Sequence, residues 1–202
     1  LGKADLSDAI LTNANLSEAT LREAFLTGAD LTNTILVKAD LTRAEMSESI
    51  LTNANLAHAT LDKAVLSSSD LSGANLVGAN LAGASLQDVK AERTNFENAI
   101  LNKVDFSRSF LVRANLRKVK LRQALLKGVD LSGANLSEAV LRKAVLSGAI
   151  LTKANLAGAD LRGTDLTDVD LSQAKLKKED VAQAILCRTQ LPWGEENGGC
   201  KQ

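Results

Sequence analysis

Few residues in this sequence are placed to do chemistry. The one histidine, His58, has no serine or cysteine nucleophile paired with it, and it reads as a solvated side chain rather than a general base. The glycine-bearing stretch "SGANLVGANLAGAS" (72–85) lacks the Gly-Lys-Ser/Thr ending of a phosphate loop. No segment has the Asp, Asn, Gly and Glu spacing of a calcium loop. Cys187 and Cys200 are the only cysteines, and two thiols with one remote histidine do not make a zinc site. The expectation is a chain with no catalytic residue, no cofactor and no metal.

Charge is the chemistry that remains. The chain carries 24 basic and 24 acidic residues, and this balance argues against a general nucleic-acid binder. The charges are not evenly spread. Residues 1–100 hold 13 acids and 7 bases, whereas residues 101–202 hold 11 acids and 17 bases. Between Lys103 and Lys127 there are eight bases and one acid, Asp105. Recognition of an anionic partner is the function such a run could serve; a solvated charged face is the plainer alternative.

The elements that must position these charges follow from a five-residue rhythm. Of the 39 positions 1, 6, 11 and onward to 191, 34 are Leu, and the exceptions are Met46, Ala91, Phe96, Phe106 and Val181. Two residues before each, from Ala4 to Thr189, 25 of 38 positions are Ala, and the rest are Ser, Thr or Val except Glu179. A helix cannot use this beat. Five steps of about 100° leave the leucine stripe drifting by roughly 140° per unit. A flat strand fails too, because a step of five changes face. The small residue and the Leu, two apart on an extended segment, point the same way, so the chain must turn a corner inside every unit. Repeated corners of one sense wind a solenoid with its leucines inside. The four phenylalanines, one tryptophan and absent tyrosine agree with a core of Leu and Ala.

The units "ANLSE" (14–18), "ADLTN" (29–33), "ANLAG" (79–83) and "ADLRG" (159–163) resemble the A(D/N)LXX unit of pentapeptide repeat proteins. The resemblance is strong over residues 1–176 and weaker over 177–191. It implies an all-β fold, a right-handed quadrilateral β-helix with four units and 20 residues per coil. On that geometry about nine coils stack about 4.8 Å apart into a rod on the order of 45 Å long. It also implies columns of residues 20 apart. Asn55, Asn75, Asn95, Asn115, Asn135 and Asn155 form one, read as a structural amide ladder. Arg122, Arg142 and Arg162 form another, with Lys103, Lys120 and Lys143 on the same wall and Asp160 as the nearby acid. These six basic residues are the candidate partner-binding set. Like charges so close repel unless water, counter-ions or a partner intervene. A further slot, just before the core Leu, carries apolar residues such as Ile10, Phe25, Ile35, Ile50, Phe110, Leu125 and Ile150 where Asp or Asn is usual.

Two stretches break the rhythm. In "LQDVKAERTNF" (86–96) Ala91 stands for a core Leu, and Phe96 and Phe106 are expected to fill the gap. Residues 177–202 are assigned as the last degenerate repeats and a C-terminal cap, irregular or helical, with residues 1–176 as the β-helix proper. A short helix over 178–186 is expected there, capped by Asp180. Pro192 ends the repeat. Trp193 either covers the last leucines or makes a homodimer contact at the solenoid end. A disulfide between Cys187 and Cys200 would suit a periplasmic or thylakoid-lumenal compartment, and free thiols would suit the cytoplasm.

The chain opens on Leu1 rather than Met, shows no signal segment and has no apolar run long enough to span a membrane. This is the expectation for a processed chain or one whose natural start lies outside it. The reading that follows is a non-enzymatic scaffold presenting charged and apolar columns to a protein partner. The resemblance also implies an alternative, DNA-mimic binding of a type II topoisomerase such as gyrase, for which only the acidic N-terminal half qualifies. The arginine wall itself, apart from the resemblance, offers another: an anionic ligand or surface, with direct nucleic-acid binding disfavoured. The resemblance further implies a bacterial source.

Overall fold

The computed structural model describes residues 1–200. Its unit is built around one turn. The carbonyl of each core Leu accepts a hydrogen bond from the N–H three residues on, as from Ala9 to Leu6 (3.1 Å) and from Ala134 to Leu131 (2.9 Å). The residue two after the Leu is left-handed in every unit from Lys3 (φ 59°) to Asp168 (φ 59°). A type II turn demands this at its third position. A non-glycine residue there costs about 1–2 kcal/mol. Stacking offsets the cost, because three of the five backbone N–H groups in each unit hydrogen-bond to a neighbouring coil. Leu6 N–H donates to the Phe25 carbonyl (2.7 Å), Asp8 N–H to that of Thr27 (2.9 Å), and Phe25 N–H to that of Ala4 (2.9 Å).

Residues 20 apart pair in parallel from Asp5 with Phe25 up to Asp170 with Gln190. Four units therefore make one coil, and the fold is a right-handed quadrilateral β-helix. Its walls are named here by their outward residues. The first runs from Asp5 to Ile185, the second from Ile10 to Gln190, the third from Asn15 to Lys175 and the fourth from Thr20 to Asp160. The turns form the four edges between them.

The Asp or Asn before each Leu has a defined task. Its side-chain oxygen accepts the N–H two residues on, as from Ser7 to Asp5 (3.0 Å), Ser132 to Asp130 (2.9 Å) and Ala157 to Asn155 (3.2 Å). That N–H lies in the turn, where no neighbouring coil reaches it. Inside, Leu and Ala fill the core from Leu21 to Leu171. Where Ser or Thr takes the Ala slot, its hydroxyl donates to the carbonyl of a core Leu or Met: Ser69 to Leu66 (2.6 Å), Thr94 to Leu71 (2.7 Å) and Ser49 to Met46 (2.6 Å). Ala91 shares its coil with Phe96 and Phe106, both fully buried, whose rings meet edge to face at 5.8 Å. The two larger rings offset the volume lost at Ala91.

The rhythm changes near the C-terminus. Gln173 is the first residue at its turn position that is not left-handed. A helix, α1 (Lys178–Val181), follows. It is one turn long rather than the nine residues expected, because Ile185 N–H already donates to the Thr164 carbonyl and returns the chain to the ladder. Asp180 acts from inside the helix, accepting the Lys177 N–H (2.8 Å), instead of preceding it as its cap. Strands β1 (Thr189–Leu191) and β2 (Gly194–Glu196) then pair antiparallel, with Pro192 and Trp193 between them. Trp193 packs against the end of the core with the Lys178 ammonium 5.7 Å from its ring centre. Cys187 and Cys200 are bonded at 2.05 Å, and Gly199 N–H donates to the Leu186 carbonyl (2.8 Å). Among the described residues, no helix is long and apolar enough to cross a membrane.

Candidate partner-binding surfaces

The six basic residues singled out in the sequence come together along one part of the rod. Lys120 lies on the fourth wall. Lys103, Arg122, Arg142, Lys143 and Arg162 occupy the turns of the edge between the fourth and first walls, since Leu101, Leu121, Leu141 and Leu161 open those turns. They are not equivalent. Asp160 sits between two of the arginines: Arg142 Nε donates to its Oδ2, and Arg162 donates to both of its oxygens (2.7 Å each). Asp160 brings one negative charge to the two arginines, so the cluster keeps a net single positive charge. Lys103, Lys120, Arg122 and Lys143 have no ion-pair partner among the described residues. Arg122 is held only through its backbone, whose N–H donates to Asn102 Oδ1 (3.0 Å). The unpaired bases therefore run along this edge from Lys103 through Arg122 to Lys143, with Lys120 beside them.

Other bases of the 103–127 run are engaged in axial ion pairs that the sequence reading missed. Arg108 reaches down one coil to Asp88 (2.6 Å). Arg117 bridges Glu97 (3.0 Å) and Glu138 (2.8 Å), and Lys118 joins it on Glu138 (3.7 Å). Arg188 bonds Asp168 in the same way (2.5 Å). A signal existed, because 88 and 108, 97 and 117, and 168 and 188 are all 20 apart. Each arginine holds its carboxylate partner Asp88 or Asp168 below the ordinary carboxyl value, chiefly by its side-chain hydrogen bond.

The outward slot presents the second kind of surface. Ile10, Phe25, Ile50, Phe110, Leu125 and Ile150 are exposed there, with Phe110 at 52% and Ile150 at 50%. Phe110 and Ile150 lie on the second wall, and Leu125 and Val145 pair on the first. The edge between these two walls carries Arg108 and Lys127, and beside Gly128 and Gly148 no neighbouring atom stands near the position a Cβ would take.

The third wall carries the asparagines. Their amides bond in pairs, Asn75 to Asn55 (3.1 Å), Asn115 to Asn95 (3.0 Å) and Asn155 to Asn135 (3.2 Å). His58 is exposed, with its ring lying where a Cβ on Gly78 would be, 2.6 Å from Nδ1. An open cleft of about 370 Å³ lies at the cap, lined by Lys178, Val181, Leu186, Leu191 and Trp193 among others. Among the described residues no group of three His, Cys, Asp or Glu could hold a metal ion.

Comparison with known proteins bears on the whole rod. The family model for pentapeptide repeats matches in eight copies between residues 1 and 168. The chain is similar to the crystal structure of HetL, a pentapeptide repeat protein involved in heterocyst differentiation regulation from the cyanobacterium Nostoc sp. strain PCC 7120. That match has 30% identity and a TM-score of 0.61, over 96% of this chain and 91% of that one. It is also similar in shape to QnrB1, a plasmid-mediated fluoroquinolone resistance protein, with 20% identity and a TM-score of 0.74 over 89% and 94% of the two chains. No curated protein matches by sequence.

Proposed function

The chain belongs to the pentapeptide repeat family, and on that premise we propose that it is a non-enzymatic scaffold whose walls hold a protein partner. One observation carries this reading. At Phe110, Leu125 and Ile150 the outward slot holds a large, exposed apolar side chain in place of the Asp or Asn that would close the turn. Such a residue gives up a hydrogen bond to the turn N–H and adds nothing to the core, so folding alone does not favour it. Gathered on two adjoining walls, these side chains make a surface suited to burial against another protein.

The test is retention from an extract of the source organism by the immobilised rod. A variant with Phe110→Asn and Ile150→Asn is expected to fold normally and to lose the retained protein. Equal retention by both forms would remove the apolar columns as the contact. The free cations favour a second reading, in which Lys103, Lys120, Arg122 and Lys143 hold an anionic partner with Arg142 and Arg162. Its test is the triple change of Arg122, Arg142 and Arg162 to Glu in the same assay. The topoisomerase alternative draws no support from the likeness to QnrB1, which at this identity shows the fold alone.

A further inference from the structure

Six unpaired acids of the N-terminal half share one face. The first and second walls and the edge between them carry Asp5, Asp8, Asp30, Glu45, Glu48 and Asp70. The same walls and edge have no Lys or Arg before Lys90. None of these six carboxylates has an ion-pair partner among the described residues. The bases at this height lie on other edges, and Lys3, Arg22 and Lys38 are already matched with Glu23, Asp40 and Glu18. Arg43 and Lys63 bound the face along the edge it shares with the fourth wall.

Large apolar side chains stand among the acids. Phe25 (48% exposed) lies between Asp5 and Glu45 in one column, and Ile10 (80%) and Ile50 (42%) flank Asp30 in the next. The arrangement recurs after two coils: "ADLSDAIL" (4–11) returns as "AEMSESIL" (44–51), and Asp30 returns as Asp70. Two coils span roughly 10 Å, close to two turns of an α-helix. Hydroxyl and backbone donors of Ser7 and Thr32 hold Asp5 and Asp30 below the ordinary carboxyl value. At the edge, the Asp8 carboxylate lies over Gly28, where a Cβ would otherwise stand.

We propose that this lower face of the first and second walls is a docking surface for a cationic, amphipathic protein segment. The proposal rests on the scaffold reading above and assigns it a second surface and a partner class. Charge selects that class. Nucleic acid and anionic bilayers are repelled by six uncompensated carboxylates, whereas a segment bearing Lys or Arg is attracted. The apolar residues between the acids select among cationic partners, since a purely polar one would leave Phe25, Ile10 and Ile50 uncovered. A helix with bases two turns apart would place them opposite the two acid clusters, with its apolar stripe on Phe25.

The experiment is fluorescence polarisation of the full chain with a labelled Leu/Lys amphipathic peptide of about 18 residues, and with a Ser/Lys peptide of equal charge. The Leu/Lys peptide is expected to bind more tightly. Glu45→Lys with Glu48→Lys should weaken it by about tenfold or more. Phe25→Ser should weaken the Leu/Lys peptide and leave the Ser/Lys peptide unchanged. The Arg122, Arg142 and Arg162 to Glu variant, altered elsewhere, should not weaken it. Circular dichroism identifies any variant that has lost its fold, and Glu45→Gln with Glu48→Gln then takes its place. Equal binding of the two peptides, or binding untouched by the Glu changes, would overturn the proposal. A rod that fails here yet still loses its retained protein through Phe110 and Ile150 keeps the scaffold reading and loses only this face.

Discussion

Asp88 with Arg108, and Asp168 with Arg188, tie each coil to the next by the same bidentate contact. Both carboxyls titrate below their ordinary value of 3.8, because the arginine hydrogen bonds favour the ionised form. A depressed folded value adds stability that is complete above pH 3.8 and is lost as the pH falls through the lowered value. The thermal midpoint should therefore decline on acidification below that point. Asp168→Asn should decline less, and an identical decline would show the pair to be idle. Much at this scale was legible in the sequence. The asparagine column and the Phe96–Phe106 compensation needed only the count of residues per coil. The sharing of Asp160 was not legible. Whether Asp160 serves Arg142, Arg162 or both depends on how long side chains lean across an edge, and residue spacing does not encode that.

The five-residue unit makes its own test of why apolar residues sit outward. Ile35 interrupts the third wall between Asn15 and Asn55. Ile35→Asn would supply the acceptor that the Val37 N–H lacks and extend the amide column. It should raise stability by about 1 kcal/mol in urea unfolding. A loss of stability would mean that Ile35 helps the wall to pack, and the case for outward apolar residues as contacts would weaken. The walls were readable from the alternation of small residue and Leu. The cap was not, because its order comes from a one-turn helix, a two-stranded hairpin and a disulfide rather than from a repeating pattern. Asp180 illustrates the difference: its type announced a helix start, but its place inside the helix, accepting the Lys177 N–H, could be fixed only once the return of Ile185 to the ladder had shortened the helix.

Across the whole molecule, the excess acid of the N-terminal half and the excess base of the C-terminal half resolve into separate faces. Unpaired acids of the N-terminal half gather on the first and second walls and the edge between them, and Lys103, Lys120, Arg122 and Lys143 lie around the edge leading from the fourth. Linear charge counts showed the imbalance but not the sorting, which exists only after every fifth residue has turned a corner. Because nearly every unit buries the same Ala and Leu, the core does not distinguish one unit from another. The rod therefore behaves like a stepped dial: adding one unit advances everything beyond it by a quarter turn while the interior stays filled. Five residues inserted after Gly133 should leave the circular dichroism unchanged and carry positions 142 and 162 onto the next edge. Spin labels replacing Arg122 and Arg142 would then separate. An unchanged separation would mean that the chain had looped the insert out. Surfaces on such a shaft are aligned by counting, so the angle between two docking faces can be reset in right-angle steps without redesigning what lies beneath them.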